Sequence, residues 1–113
     1  DMKFEIFGKD YNVSDSLKAI TEKKCAKLDK YFHDDADATA KFIVTLEGGT
    51  YTTDMTVVYR SQTYRAEASS DSPFDNIDLV IPRLLGQIRK QKDIWGKTKR
   101  GSENVYEEEA DEE

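Results

Sequence analysis

The chain has 113 residues, with 37% hydrophobic, 11% aromatic and 35% charged residues and a formal net charge of −6. This length provides one domain with a small core, and the aromatic and branched aliphatic content is too high for a fully disordered chain. One cysteine and one histidine exclude a disulfide framework or a Cys/His zinc cluster built from this chain alone, and the apolar stretch around Leu79–Ile81 is too short to span a bilayer.

The first part of the chain predicts a strand followed by a helix. Met2–Gly8 alternates between apolar and polar residues, as in a half-buried strand. Ser14 is a suitable N-cap for a helix that continues to Phe32. The apolar stripe of this helix consists of Leu17, Ile20, Thr21, Cys25, Leu28 and Phe32. Because Cys25 lies on that stripe, we expect a buried, inert thiol and not a nucleophile.

Three closely spaced strands come next. Ala38–Glu47 alternates, and Gly48-Gly49 is a two-residue hairpin signal. Thr50–Tyr59 is rich in threonine, valine and tyrosine, Arg60–Gln62 is a tight turn, and Thr63–Ser69 alternates again. Short connections between consecutive strands predict an antiparallel meander.

A second helix begins with Ser72 at the N-cap and Pro73 at the first helical position. Its apolar stripe consists of Phe74, Ile77, Ile81, Leu84 and Ile88, with Leu85 beside it. Pro82 removes one amide donor and crowds the carbonyl group of Asp78, so we expect a kink or a break there. Trp95 is expected to pack at the end of the helix.

The predicted order β-α-β-β-β-α indicates an α+β fold. Four strands and two amphipathic helices can close a core as a two-layer sandwich, with both helices on one face of the sheet. We expect residues 1–96 to form this domain. Residues 97–113 are basic, then acidic, and are expected to form a flexible linker or tail.

The charges are unevenly distributed along the chain. Residues 103–113 contain seven acidic side chains and no basic ones, which leaves 17 basic and 16 acidic residues over positions 1–102. Residues 83–100 contain seven basic residues and one acidic residue, and residues 14–32 contain five lysines. This pattern is typical of a polyanion-binding surface followed by a solvated tail, although lysine-rich helix faces that are merely solvated give the same pattern.

The residues offer little for catalysis. The sequence has no glycine-rich phosphate loop, and its one histidine, His33, stands among aspartates without a nucleophile–base arrangement. Asp34, Asp35 and Asp37 lack the glycine and terminal glutamate of a calcium loop. We therefore predict no enzymatic activity, catalytic residue, metal, cofactor or small-molecule substrate. Cationic helices can instead bridge rows of phosphates and recognise RNA by its shape.

Several segments resemble the ribosome hibernation promoting factor family, also called ribosome-associated inhibitor or sigma-54 modulation protein. Residues 17–32 are similar to its first helix, most tellingly at 27–32, and residues 4–9 to its opening strand. Residues 65–67, 77–80 and 87–90 match its order and spacing, so the likeness covers about residues 2–95. The resemblance implies a cytoplasmic protein without catalytic activity. Such a protein binds the small ribosomal subunit near the decoding region, silences translation under starvation, and lays two basic helices against ribosomal RNA.

The resemblance also implies which residues contact RNA. By position, it assigns these contacts to Lys24, Lys27 and Lys30 in the first helix and to Arg83, Arg89 and Lys90 in the second. The basic segments add Lys23 and Lys92 to the predicted RNA-binding residues. The sequence departs from the family pattern at Gly86, where a basic side chain is usual, and at Pro82. It departs again at Phe74-Asp75-Asn76, where the family has an aromatic residue followed by small ones.

Two questions stay open at this level. The acidic end fits both a linker cut after the first domain of a long family member and the tail of a complete short member. In the case of a long family member, a homodimer would form through a second domain that is absent from this chain. The alternative function is a protein-interaction or regulatory module that acts through its acidic tail without binding RNA. A small hydrolase is a third hypothesis, but it lacks a nucleophile–base pair.

Overall fold

The computed structural model describes residues 2–32 and 38–99, with side chains described up to residue 91. The strands are β1 (Lys3–Lys9), β2 (Ala38–Glu47), β3 (Thr50–Tyr59) and β4 (Gln62–Ser70). The helices are α1 (Asp15–Cys25), a 3-10 segment (Ala26–Tyr31) and α2 (Pro73–Lys99). None of the described helices is long and apolar enough to cross a membrane.

The four strands form one sheet in the order β1-β2-β3-β4. β1 pairs with β2 in parallel, and the other two pairs are antiparallel. The parallel pair requires a crossover, which α1 and the 3-10 segment supply. Gly48 and Gly49 both have positive φ angles, of 59° and 81°, as the predicted two-residue hairpin requires. The predicted α+β fold and the meander are confirmed.

The core lies between one face of the sheet and the helices. Phe42 is aligned with Ile6 on one neighbouring strand and Met55 on the other, and both Phe42 and Met55 are fully buried. The helices cover this face with buried side chains that include Leu17, Leu28, Ile77, Leu84 and Ile88. Each fully buried aliphatic or aromatic side chain contributes about 1.5–3 kcal/mol of transfer free energy.

The helical stripes are largely as predicted. Ile20 and Phe74 were expected to be buried but are 38% and 41% exposed. Val80 and Asn76 were not assigned to the stripe but are fully buried. Phe74 and Ile20 lie at the margin of the packed face, so an apolar residue at helical spacing was a poor guide there. Asn76 is buried because its amide group has hydrogen-bond partners, as a buried polar side chain requires.

The first helix changes its geometry where a continuous helix to Phe32 was predicted. The α-helix ends at Cys25 and a 3-10 helix follows from Ala26 to Tyr31. Cys25, Leu28 and Tyr31 are all buried and stand three residues apart. Because a 3-10 helix has three residues per turn, this spacing keeps all three on one side.

We expected a kink or a break at Pro82; the second helix is continuous across this residue, so the break is wrong. Pro82 and Asp78 are both exposed, and solvent can therefore hydrate the carbonyl group that loses its amide partner. The described part of α2 extends to Lys99. The predictions for His33, for the aspartates of residues 34–37, for the Lys92 and Trp95 side chains and for the acidic tail lie outside the described residues.

Side chains of α2 cover the outer edge of β4. The amide of Arg65 donates to Gln87 Oε1 at 3.1 Å, and Gln87 Nε2 donates to the Arg65 carbonyl group. Arg83 Nη1 donates to the carbonyl oxygen of Glu67 at 2.7 Å. These bonds satisfy backbone groups that an edge strand otherwise leaves open, and they fix α2 against the sheet.

Candidate nucleic-acid interface

The two helices lie side by side and run in the same direction. Along α2, Asn76 contacts Ser70 at the end of β4, and Gln87 contacts Arg65 near its beginning, so α2 is antiparallel to β4. The strand pairings give β1, β2 and β4 the same direction. Because α1 lies in the crossover between the parallel strands β1 and β2, it also runs antiparallel to them. A groove therefore opens along the helix pair.

This groove, which we call the interhelical groove, has a volume of about 630 Å³. Its apolar lining consists of Ala26, Leu28, Tyr31, Ile77, Ile81, Pro82 and Leu85. Its charged lining consists of Lys24, Lys27, Lys30 and Arg89, together with Asp29 and Asp78. An apolar floor with a cationic rim can accept a ligand that is both anionic and partly apolar.

The 3-10 geometry aligns the lysines of the groove. Lys27 and Lys30 stand three residues apart in the 3-10 helix, where side chains at that spacing eclipse one another. Lys24 precedes them by three residues, in the last turn of α1. Lys27 and Lys30 are exposed, and Lys30 Nζ lies 5.6 Å from the centroid of the Tyr31 ring. The row of ammonium groups thus follows the first wall of the groove.

Both carboxylates of the groove have partners. Lys24 Nζ lies 2.6 Å from Asp78 Oδ1, with side-chain exposures of 36% and 59%. Asp29 Oδ1 accepts a hydrogen bond from the Met2 amide at 3.4 Å. A surface ion pair with this exposure contributes at most about 1 kcal/mol to stability. With Lys24 and Asp78 paired, Lys27, Lys30 and Arg89 outnumber Asp29, so the groove keeps a net positive charge.

Arg89 projects from α2 into the same groove. Its Nε atom is buried and has no hydrogen-bond partner among the described residues. A buried donor without a partner costs about 1–3 kcal/mol, more when it belongs to a charged group.

The other predicted residues lie elsewhere. Lys23 and Lys90 are exposed but do not line the groove, and Arg83 is held against β4 on the other flank of α2. The structure therefore brings together four of the eight predicted cations, and does not place Lys92, whose side chain is outside the description.

Sequence reasoning missed the apolar floor and Asp78. Ile77 and Ile81 were assigned to the core stripe and Leu85 to a position beside it, yet all three also line the groove. The three-residue spacing of the lysines was the signal that could have revealed the groove wall.

Cys25 is buried as predicted, and burial raises the pKa of its thiol to about 12. Among the described residues, no group of His, Cys, Asp and Glu is arranged to hold a metal ion.

Replacing Asp78 with asparagine should strengthen binding of polyanions. The substitution releases Lys24 from its ion pair and removes one negative charge from the groove. We expect later elution from immobilised heparin as salt rises, with a loss of unfolding free energy below about 1 kcal/mol.

The matched control is Asp54→Asn, because Asp54 is exposed on the other face of the sheet. It changes the net charge equally. Equal elution shifts for the two variants would mean that overall charge, and not the groove, determines binding.

A family model described as sigma 54 modulation protein / S30EA ribosomal protein matches residues 4–94. The chain is 38% identical over 96 residues to the ribosome hibernation promotion factor of Lactococcus lactis subsp. cremoris, covering 80% of this chain and 50% of that protein. It is 31% identical over 108 residues to the ribosome hibernation promotion factor of Staphylococcus aureus, covering 93% and 57%. The chain thus spans about half the length of these curated relatives.

Two solved structures share the fold. The N-terminal domain of Protein Y from Thermus thermophilus superposes with a TM-score of 0.69 at 24% identity, covering 80% of this chain and 98% of that one. A ribosomal subunit interface protein from Coxiella burnetii superposes with a TM-score of 0.68 at 25% identity, with the same coverage. At 24% identity, the Thermus thermophilus structure supports the fold alone.

Proposed function

Because the chain belongs to the sigma 54 modulation protein / S30EA ribosomal protein family, we propose that it is a ribosome hibernation domain. It binds the small ribosomal subunit near the decoding region and contacts ribosomal RNA through the interhelical groove. The family resemblance inferred from the sequence is confirmed. The partner, the place of binding and the RNA contacts are our proposal.

The observation that carries the proposal is the meeting of cations from both helices on one surface. Lys27 and Lys30 come from the 3-10 segment and Arg89 comes from α2, yet all three line one groove. Cations held in a row on a rigid scaffold neutralise successive phosphates and release counterions. The binding free energy then depends steeply on salt.

The domain would act by occupying its site. A protein bound near the decoding region blocks the messenger and transfer RNA paths, and this requires neither a catalysed reaction nor a cofactor. The rigid anchoring of α2 to β4 by Arg83 and Gln87 would hold both walls of the groove in place. The proposed location is the cytoplasm, where ribosomes are found.

Co-sedimentation with purified small ribosomal subunits tests the proposal. We expect binding at low salt that weakens linearly on a log–log plot as salt rises. Replacing the four groove cations Lys24, Lys27, Lys30 and Arg89 with glutamate should weaken binding at least about tenfold. It should also flatten the salt dependence, because phosphate contacts are lost.

The matched control replaces Lys3, Lys9, Lys41 and Arg65 with glutamate. These four exposed residues point to the face of the sheet opposite the helices, and the change in net charge is the same. We expect the control to retain most of the binding. If the groove variant binds as well as the unaltered protein while remaining folded by circular dichroism, the proposed function is wrong.

A further inference from the structure

We propose that the acidic segment of this chain, residues 103–109, docks into the interhelical groove when no RNA is bound. The occupant would be the Glu103–Glu109 sequence of the same molecule. The effect on RNA binding rests on the proposed function, because only then would the segment and RNA compete for one surface. The docking itself is independent of that function.

Charge complementarity is the first reason. The groove carries Lys27, Lys30 and Arg89 as cations that are not paired with Asp78 or Asp29. Residues 103–109 contain four glutamates and no basic residue. A short, tethered polyanion is attracted to a cationic groove, and the tether raises its local concentration.

The second reason is the apolar pair within the segment. Val105 and Tyr106 stand between the glutamates. The floor of the groove, formed by side chains such as Ile81 and Leu85, offers them an apolar surface. An acidic tail that stays in solvent gains nothing from two apolar residues. In the groove, by contrast, the apolar pair can contact the floor and the glutamates can contact the cations.

The third reason is the Arg89 side chain, which lines the groove and is only partly buried. A glutamate carboxylate can pair with its guanidinium group. Carboxylates and the guanidinium group form charge-assisted hydrogen bonds that are stronger than neutral ones.

The segment is long enough to reach. α2 ends at Lys99, and Leu85 lies fourteen residues earlier, roughly 21 Å back along the helix axis at 1.5 Å per residue. The seven residues from Arg100 to Tyr106 span about 23 Å when extended. A chain that turns back after α2 can therefore place Tyr106 near Leu85 and the following glutamates beside Lys27 and Lys30.

Paramagnetic broadening in the full chain tests this contact without any ribosome. A nitroxide attached through Ala110→Cys leaves the net charge unchanged. Cys25 is buried and burial raises the pKa of its thiol to about 12, so the reagent should label position 110 selectively. We expect the amide signals of Lys27, Leu28 and Leu85 to lose intensity, while those of Lys41 and Thr56 on the other face of the sheet keep it.

Two variants separate the contributions. Replacing Glu107, Glu108 and Glu109 with glutamine, or Val105 and Tyr106 with serine, should restore the groove signals. The matched control replaces Asp111, Glu112 and Glu113 with their amides, and should leave the broadening in place. Uniform broadening, no broadening, or equal broadening in a mixture of labelled and isotope-enriched molecules would overturn intramolecular docking.

Ribosome binding supplies the second arm. If the segment occupies the groove about three-quarters of the time, deleting residues 103–113 should tighten binding to small subunits roughly fourfold. Unchanged binding would overturn the competition. Weaker binding would mean that the segment itself contacts the partner, and would overturn it too. Broadening at the groove without any ribosome binding would leave the docking standing and reject the proposed function.

Discussion

Replacing Gly8 with alanine is expected to lower the free energy of unfolding by about 3 kcal/mol, roughly a hundredfold in the folding equilibrium. A Cβ atom at this position would lie 1.9 Å from the carbonyl oxygen of Tyr11. The Tyr11 backbone cannot easily withdraw, because its ring packs edge-on against Tyr51 with centroids 5.3 Å apart. The added methyl group must therefore displace the loop or β1. Urea unfolding followed by circular dichroism measures the loss.

The control is the same change at Gly86. A Cβ atom there meets nothing within 4 Å, and the residue is exposed in α2. Alanine should stabilise the helix by up to about 1 kcal/mol. If Gly8→Ala and Gly86→Ala shift the urea midpoint alike, the close approach of Tyr11 to Gly8 does not constrain the fold.

Replacing Asn76 with alanine should cost about 3 kcal/mol as well, because its side chain joins β3, β4 and α2. Its Nδ2 atom donates to the Tyr51 carbonyl oxygen at 3.0 Å and to Thr53 Oγ1 at 3.3 Å. Its Oδ1 atom lies 2.8 Å from the Ser70 hydroxyl oxygen. Asn76 is fully buried, so truncation would leave these groups without partners. Thermal and urea unfolding would both report the loss.

Asn76→Asp distinguishes lost hydrogen bonds from lost volume. Burial should raise the pKa of the new carboxyl group above its value in the unfolded chain, so the folded state binds the proton more tightly. The variant is therefore most stable at low pH and loses stability as the pH rises from about 4 to about 7. Asn12→Asp, at an exposed position, should show no such extra pH dependence. A pH-independent Asn76→Asp variant would contradict the burial of position 76.

Alternation and helical spacing were sufficient to predict the sheet and both helices, because each strand has one buried face. Ala40 and Phe42, for example, are both fully buried on β2, while Lys41 between them is exposed. Local patterns could not reveal where the α-helix changes to a 3-10 helix, since the packing of Leu28 and Tyr31 decides it. Nor could they reveal that Asn76 is buried, since its partners come from distant strands.

The sequence predicted a cationic surface, but it did not predict which of the basic residues would lie together on it. The basic segments indicated a polyanion-binding surface, and Lys27, Lys30 and Arg89 do share one groove. Arg83 was grouped with them on sequence position, yet its guanidinium group contacts the Glu67 carbonyl oxygen on the other flank of α2. Which flank a helical cation faces depends on how the helix sits on the sheet, and that is a tertiary property.

The hydrogen bonds that Gln87 and Arg83 form with β4 end on main-chain atoms at residues 65 and 67. The side chains at those two positions can therefore change through evolution without loosening the helix, with proline at 65 as an exception because its missing amide would delete a donor. By contrast, Gln87 and Arg83 cannot be exchanged freely, since their own side chains form the bonds. Substitutions of the side chains at positions 65 and 67 therefore need not move α2, which forms one wall of the groove.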